Sequence, residues 1–250
     1  GMNWPEGGGK VMRVEHIGGA TLYLADCMDV MRNMPDKTFD LAIVDPPYGL
    51  GFDKENPSMS AGLRTDGTQR VIRTWRTPKP KNYKNGNWDV RPPEGYFGEL
   101  FRVSRYAIVW GGNHFDLPLS GGWIVWDKQV SMPSLSKAEL AWTNCSNHIE
   151  LFSFLWAGYR KGEPCSRIHP TQKPIALYKW LLSKYAKSGW KILDTHGGSG
   201  SSVVACLELG FSITWIEKDK DYFNAAFERI EKTYQQLSMP KEACGKEGGV

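Results

Sequence analysis

Short apolar runs alternate with helix-length stretches along most of the chain, and this alternation restricts it to a mostly parallel, doubly wound α/β sheet. Strands are predicted at 20–24, 39–44 (FDLAIV), 107–110, 190–193 and 212–216. Helices are predicted at 28–34, 95–103, 174–187, 202–209 and 223–237, with Pro174 and Gly210 as start and stop signals. Three Trp-rich β-like runs, at 123–126, 139–142 and 149–156, add an antiparallel strand or hairpin region at one side. A length of 250 residues fits one domain, expected at 19–237, with flexible termini at 1–18 and 238–250. No apolar run approaches the ~20 residues of a membrane span, and no basic-then-apolar leader opens the chain.

Five cysteines without a CxxC pair suggest reduced thiols and a cytoplasmic location. Cys145, His148, Cys165 and His169 have roughly the spacing of a four-ligand zinc site, yet three of them fall in or beside apparent strands. No metal is expected. Most of the eleven Trp are expected to pack the core and hairpins.

In such a sheet, ligands bind beyond the carboxyl ends of strands. One strand end reads Asp194-Thr195-His196-Gly197-Gly198-Ser199-Gly200, an acid followed by a glycine-rich turn into a helix. A dinucleotide fingerprint starting at Gly198 would need glycine where Val203 stands. An acid there opposes pyrophosphate but suits an ammonium group, and the next strand ends in Glu217, an acceptor for ribose hydroxyls. A nucleoside carrying an amino acid satisfies both, so S-adenosylmethionine is the expected cofactor.

A second strand end reads Asp45-Pro46-Pro47-Tyr48. The prolines lack N–H donors, so the turn offers acceptors. Asp45 and the Pro46 carbonyl are suited to take both hydrogens of an exocyclic amine, with Tyr48 stacking on its ring.

Together with His169-Pro-Thr-Gln-Lys-Pro174, these two turns resemble those of the DNA amino-methyltransferases, over about residues 20–235. The resemblance implies a Rossmann-like methyltransferase sheet. Asp45, Pro46, Pro47 and Tyr48 would then be catalytic, and Asp194, Gly197, Gly198 and Gly200 would hold the cofactor. His169, Thr171 and Lys173 would bind its methionine part, Glu217 its ribose and Asp26 its adenine. The order, catalytic turn before cofactor loop, is similar to that of the permuted β class, mostly N6-adenine enzymes. Thr195-His196 stands where the family usually has Pro-Phe or Pro-Cys, and His196 is expected to fill space.

Between these motifs, residues 64–84 carry Arg64, Arg70, Arg73, Arg76, Lys79, Lys81 and Lys84 against one acid, Asp66, with Trp75 and Tyr83 interleaved. Phosphate contact and base stacking use this mixture. Residues 52–92 are therefore expected to form a mobile loop that orders on double-stranded DNA. Residues 127–168, including Asp127 and Lys128, are expected to form a small recognition and hairpin region. The resemblance leaves room for a homodimer and a partner restriction endonuclease. Adenine N6 is the expected target. Cytosine N4 and an inactive DNA- or cofactor-binding module are the alternatives.

Overall fold

The computed structural model describes residues 11–50, 61–63, 69–71, 89–130, 136–157, 160–163 and 168–239. In chain order the elements are β1 (Arg13–Ile17), β2 (Ala20–Leu24), α1 (Cys27–Arg32), β3 (Phe39–Val44), β4 (Ala61–Leu63) and β5 (Gln69–Val71). Next come α2 (Tyr96–Val103), β6 (Ser104–Trp110), β7 (Gly122–Asp127), β8 (Ala138–Thr143), β9 (Ile149–Ser153), β10 (Trp156–Ala157) and β11 (Arg160–Lys161). The chain closes with α3 (Ile175–Tyr185), β12 (Lys191–Asp194), α4 (Ser201–Leu209), β13 (Ser212–Glu217) and α5 (Lys220–Ser238).

Nine strands form one sheet in the order β1-β2-β13-β12-β3-β6-β8-β7-β9. The five strands from β2 to β6 run parallel. Strand β8 lies antiparallel to both β6 and β7, while β9 returns parallel to β7. This is the expected doubly wound sheet with its antiparallel side.

Burial on both faces explains why the central strands read as continuous apolar runs rather than as alternations. In β3, Leu41 and Ile43 face one core, and Phe39, Ala42 and Val44 the other. Helices α3, α4 and α5 cover the first face with Leu181, Val203 and Phe223. Helices α1 and α2 cover the second with Met31 and Leu100. Trp110, Trp126 and Trp215 are fully buried on the first face, so the large aromatics are core, as expected.

Strand β12 lies between β13 and β3, and this makes the crevice. From β12 the chain crosses through α4 to β13 on one side; from β3 it crosses through α2 to β6 on the other. The carboxyl ends of β12 and β3, followed by the two motif turns, therefore flank the switch point where open α/β sheets bind ligands.

Three expectations need correction. Residues 13–17 are not a frayed terminus: β1 pairs antiparallel with β2 through the tight turn at Gly18-Gly19, with Ile17 opposite Ala20. The span 52–92 is not uniformly irregular, because β4 and β5 pair with Gly62 opposite Arg70. Strands of three residues are too short to show a period, which is why the sequence concealed them. Residues 89–92 are not part of a free loop either, since Asp89 and Arg91 are fixed against the turn after β3. The basic residues Arg64, Arg73, Arg76, Lys79, Lys81 and Lys84, like Cys165, lie outside the described residues.

Candidate active site

Asp45 follows directly on β3. Its two carboxylate oxygens have different partners. Tyr48 donates its hydroxyl to Oδ1 at 2.9 Å, and the Lys173 ammonium meets Oδ2 at 2.5 Å. The Tyr48 ring stacks on His114 at 4.8 Å between centroids and meets Phe115 edge-on. It also covers Gly111, where an added Cβ would overlap the ring atoms. The loop after β6 thus has glycine where the Tyr48 ring approaches the backbone closely.

Neighbours unforeseen from the sequence brace this turn. Asp89 accepts the Gly49 N–H at 2.8 Å, and Arg91 donates to the carbonyls of Tyr48 and His114. Arg91 also lies over the Phe115 ring, 5.7 Å from its centroid. Their only signal in the sequence was their position after a long polar stretch.

On the neighbouring strand end, Asp194 is buried. Its Oδ1 accepts the His196 N–H at 3.1 Å and its Oδ2 the Ser202 hydroxyl at 2.6 Å. Burial outweighs these hydrogen bonds and, with Asp45 and Glu217 nearby, pushes its carboxyl up to about 7. Glu217, at the end of β13, accepts the N–H groups of Gly198 and Asp219, each at 2.8 Å. Burial raises its carboxyl above the ordinary range as well.

The glycines of the loop differ in role. Gly197 lies against Trp215, whose ring atoms an added Cβ would overlap. Gly198 binds Glu217 and faces the His169 ring, and Gly200 opens α4 as its N-cap. Arg229 of α5 reaches back to the Ser199 carbonyl and the Ser201 hydroxyl, a brace the sequence did not suggest.

His196 is half-buried. Its Nδ1 lies 3.0 Å from the Thr195 hydroxyl, its ring packs edge-on against Tyr96, and Tyr96 bonds Thr195 at 2.5 Å. Burial, helped by Lys218, lowers the imidazole to about 3, so it is neutral at physiological pH.

The hexapeptide 169–174 runs from one strand end to the other. His169 packs against Tyr222 and takes hydrogen bonds from Thr171, whereas Lys173 reaches Asp45. Gln172 fixes the segment internally by accepting the Ile168 N–H, and Trp156 donates to its carbonyl. Glu163 accepts the first two N–H groups of α3 and so fixes the helix start behind Pro174. Asp26, beyond β2, caps α1 through the Met28 N–H. Its strand end neighbours that of Glu217, joined by the Ala25 N–H to Glu217 carbonyl bond.

Lys173 also meets Glu139 of β8 at 3.1 Å, and Glu139 meets Lys128 at 2.5 Å. Burial works against the Glu139 charge, but Lys173 and Lys128 overcome it and hold the carboxyl down at about 2. Asp127 caps the turn after β7 through the Gln129 N–H. Among the described residues no group of His, Cys, Asp and Glu is arranged to hold a metal ion, and no helix is long and apolar enough to cross a membrane.

Comparison with known proteins agrees with this geometry. The N6_N4_Mtase family model, described as DNA methylase, matches residues 125–228. The Type II methyltransferase M.HpaI of Haemophilus parainfluenzae is 36% identical over 252 residues, covering 85% of this chain and 74% of its own. In fold, the chain resembles the M1.HpyAVI–SAM complex (TM-score 0.50, 19% identity, 84% of this chain and 99% of that one). It also resembles the cytosine-N4-specific PvuII DNA methyltransferase (TM-score 0.52, 11% identity, 90% and 96%). With its two motif turns on adjacent strand ends and an M.HpaI likeness running through both, the chain belongs to the N6/N4 DNA methylase family.

Proposed function

We propose that the chain transfers a methyl group from S-adenosylmethionine to the exocyclic N6 of an adenine flipped out of double-stranded DNA. The observation that carries this reading is the adjacency of two unlike strand ends. Asp45 and the Pro46 carbonyl stand beyond β3; the acids Asp194 and Glu217 stand at the ends of β12 and β13.

The residues present fit the cofactor. Asp194 is a buried carboxylate with no ion pair among the described residues, so an ammonium group beside it would supply the missing counter-charge. Both Glu217 oxygens retain a lone pair for ribose hydroxyls after their backbone contacts. His169, Thr171, Gly197, Gly198 and Gly200 would line the methionine side and Asp26 the adenine side; Lys173, expected with them, instead pairs with Asp45 and Glu139. When bound, S-adenosylmethionine supplies an activated methyl on a sulfonium.

The chain's own residues act on the acceptor. The adenine amine is a weak nucleophile because its lone pair delocalises into the ring. Asp45 and the Pro46 carbonyl accept its two hydrogens, favour a tetrahedral nitrogen, and stabilise positive charge developing there. Tyr48 provides a stacking surface for the base while its hydroxyl orients Asp45. The basic residues Arg64, Arg70, Arg73, Arg76, Lys79, Lys81 and Lys84 would grip the DNA backbone. The order of the motifs supports the permuted β class.

Cytosine N4 offers the same amine geometry, and the PvuII likeness in fold keeps it as the second reading. Mass spectrometry of nucleosides, after incubating DNA with the chain and S-adenosylmethionine, separates them. N6-methyladenine is expected; N4-methylcytosine alone would replace the first reading with the second.

A further inference from the structure

Four charged groups and one phenol form a continuous chain across the antiparallel side of the sheet. Lys128 meets Glu139 at 2.5 Å, Glu139 meets Lys173 at 3.1 Å, Lys173 meets Asp45 at 2.5 Å, and Tyr48 donates to Asp45 at 2.9 Å. The charges alternate in sign and cancel. Lys173 is the most enclosed member, its side chain 3% exposed and its ammonium 5.4 Å above the Trp110 ring. A cation buried to that extent is costly unless anions surround it. One carboxylate would suffice to neutralise it, yet the fold supplies two, from β3 and β8.

The second carboxylate matters to the first. Paired with Asp45 alone, the Lys173 ammonium would be free to follow it or to neutralise it fully. Glu139 Oε2 stands 3.1 Å from the same ammonium and attracts it as a second anion. This fixes where Lys173 stands and leaves part of the Asp45 charge available to the substrate amine. Lys128 offsets the charge of Glu139, and the Trp126 ring 5.3 Å from its ammonium helps to place it.

We infer that Glu139 is the positioning residue of the catalytic carboxylate: acting through Lys173, and with Lys128 as its counter-ion, it fixes Asp45 for the substrate amine. The inference rests on the proposed role of Asp45 and holds for either amine target. It also gives a purpose to the β7–β8 hairpin that the two motif turns do not explain.

The groups facing Lys173 set the expected pH response. They are Asp45 and Tyr48 after β3, Glu139 on β8 with Lys128 behind it, and, acting on the same carboxylates, Tyr178 on α3 and Asp194 at the end of β12. Burial alone would lower the Lys173 ammonium, but Asp45 and Glu139 raise it above the ordinary lysine value. Removing the Glu139 charge withdraws part of that support, so Lys173 should lose its proton at lower pH.

The test compares wild type, Glu139→Gln and Glu139→Asp by labelled-methyl transfer to DNA across pH. The Gln variant is expected to lose at least about tenfold in kcat with the KM for DNA within about twofold. Its alkaline limb moves to lower pH, and the Asp variant recovers most of the rate. A parallel titration of the Lys173 13Cε resonance, which needs no turnover, should shift the same way. The inference is overturned by a Gln variant with wild-type kcat and pH profile, by a rate loss that only tracks a loss of folded protein in circular dichroism, or by an unchanged Lys173 titration. A wild-type chain that methylates no DNA would instead defeat the proposed function, so the two failures are told apart.

Discussion

At the scale of single residues, the site is a set of carboxylates with divided duties. Asp45 is bonded through both oxygens and partly open, whereas Asp194 and Glu217 are buried and bonded mainly to backbone and hydroxyl groups. Replacing Asp45 with alanine removes the proposed acceptor of an amine hydrogen and the negative charge that would stabilise the developing cation. A loss of about 10² to 10³ in kcat is expected, with cofactor binding retained in calorimetry. Asp194 has a separate signature. Its carboxyl sits near 7 in the folded chain against 3.8 ordinarily, so the folded state retains a proton that the unfolded state has released. Stability without cofactor should therefore fall as pH rises from about 4 to about 7. Asp194→Asn should flatten that part of the denaturation midpoint against pH, and an unchanged slope would remove Asp194 as its source. These identities were legible because their chemistry is local: an acid, two prolines and an aromatic, or an acid before glycines. The partners of Asp45 were not. Lys173 is 128 positions away in sequence, and only the sheet order brings it near.

At the scale of elements, most strands and helices follow from apolar runs bounded by turn residues. β3, β6, β12 and β13 all came out within a few residues, because strands buried on both faces leave a strong signal. Elements whose signal is backbone pairing alone were invisible, as with β4 and β5, and β1 was masked by its polar alternation. The loop between β12 and α4 shows what the element requires. The side-chain space at Gly197 is taken by the Trp215 ring, so Gly197→Ala should cost about 1–3 kcal/mol by overpacking. Chemical denaturation would show this as a lower midpoint; an unchanged midpoint would mean that Trp215 moves aside freely. The hexapeptide 169–174 is the other informative element. It touches the glycine loop after β12 through His169 and the turn after β3 through Lys173, so a change at either end should be felt at the other.

At the scale of the whole molecule, the formal charge of +4 conceals its distribution. Seven basic residues against one acid in 64–84 exceed that total, leaving the remainder slightly negative. Neutralising Arg70, Arg73 and Arg76 together should weaken DNA binding. It should also reduce the slope of log affinity against log salt by about 0.9 for each phosphate left without a cationic partner. An unchanged slope would move the DNA interface elsewhere. The doubly wound architecture was legible from the alternation of elements, and so was the position of both turns at strand ends. The sheet order itself was not, because strand adjacency is set by long-range pairing that no local pattern records. That order makes the site, since it places β12 beside β3.

The most direct measurement of the central claim is nucleoside mass spectrometry on DNA treated with S-adenosylmethionine and either wild-type chain or Asp45→Ala. N6-methyladenine is expected with the wild type and is expected to drop at least about 10²-fold with the variant. N6-methyladenine formed equally well by both would contradict the account, because the carboxylate at the end of β3 would then take no part in the transfer.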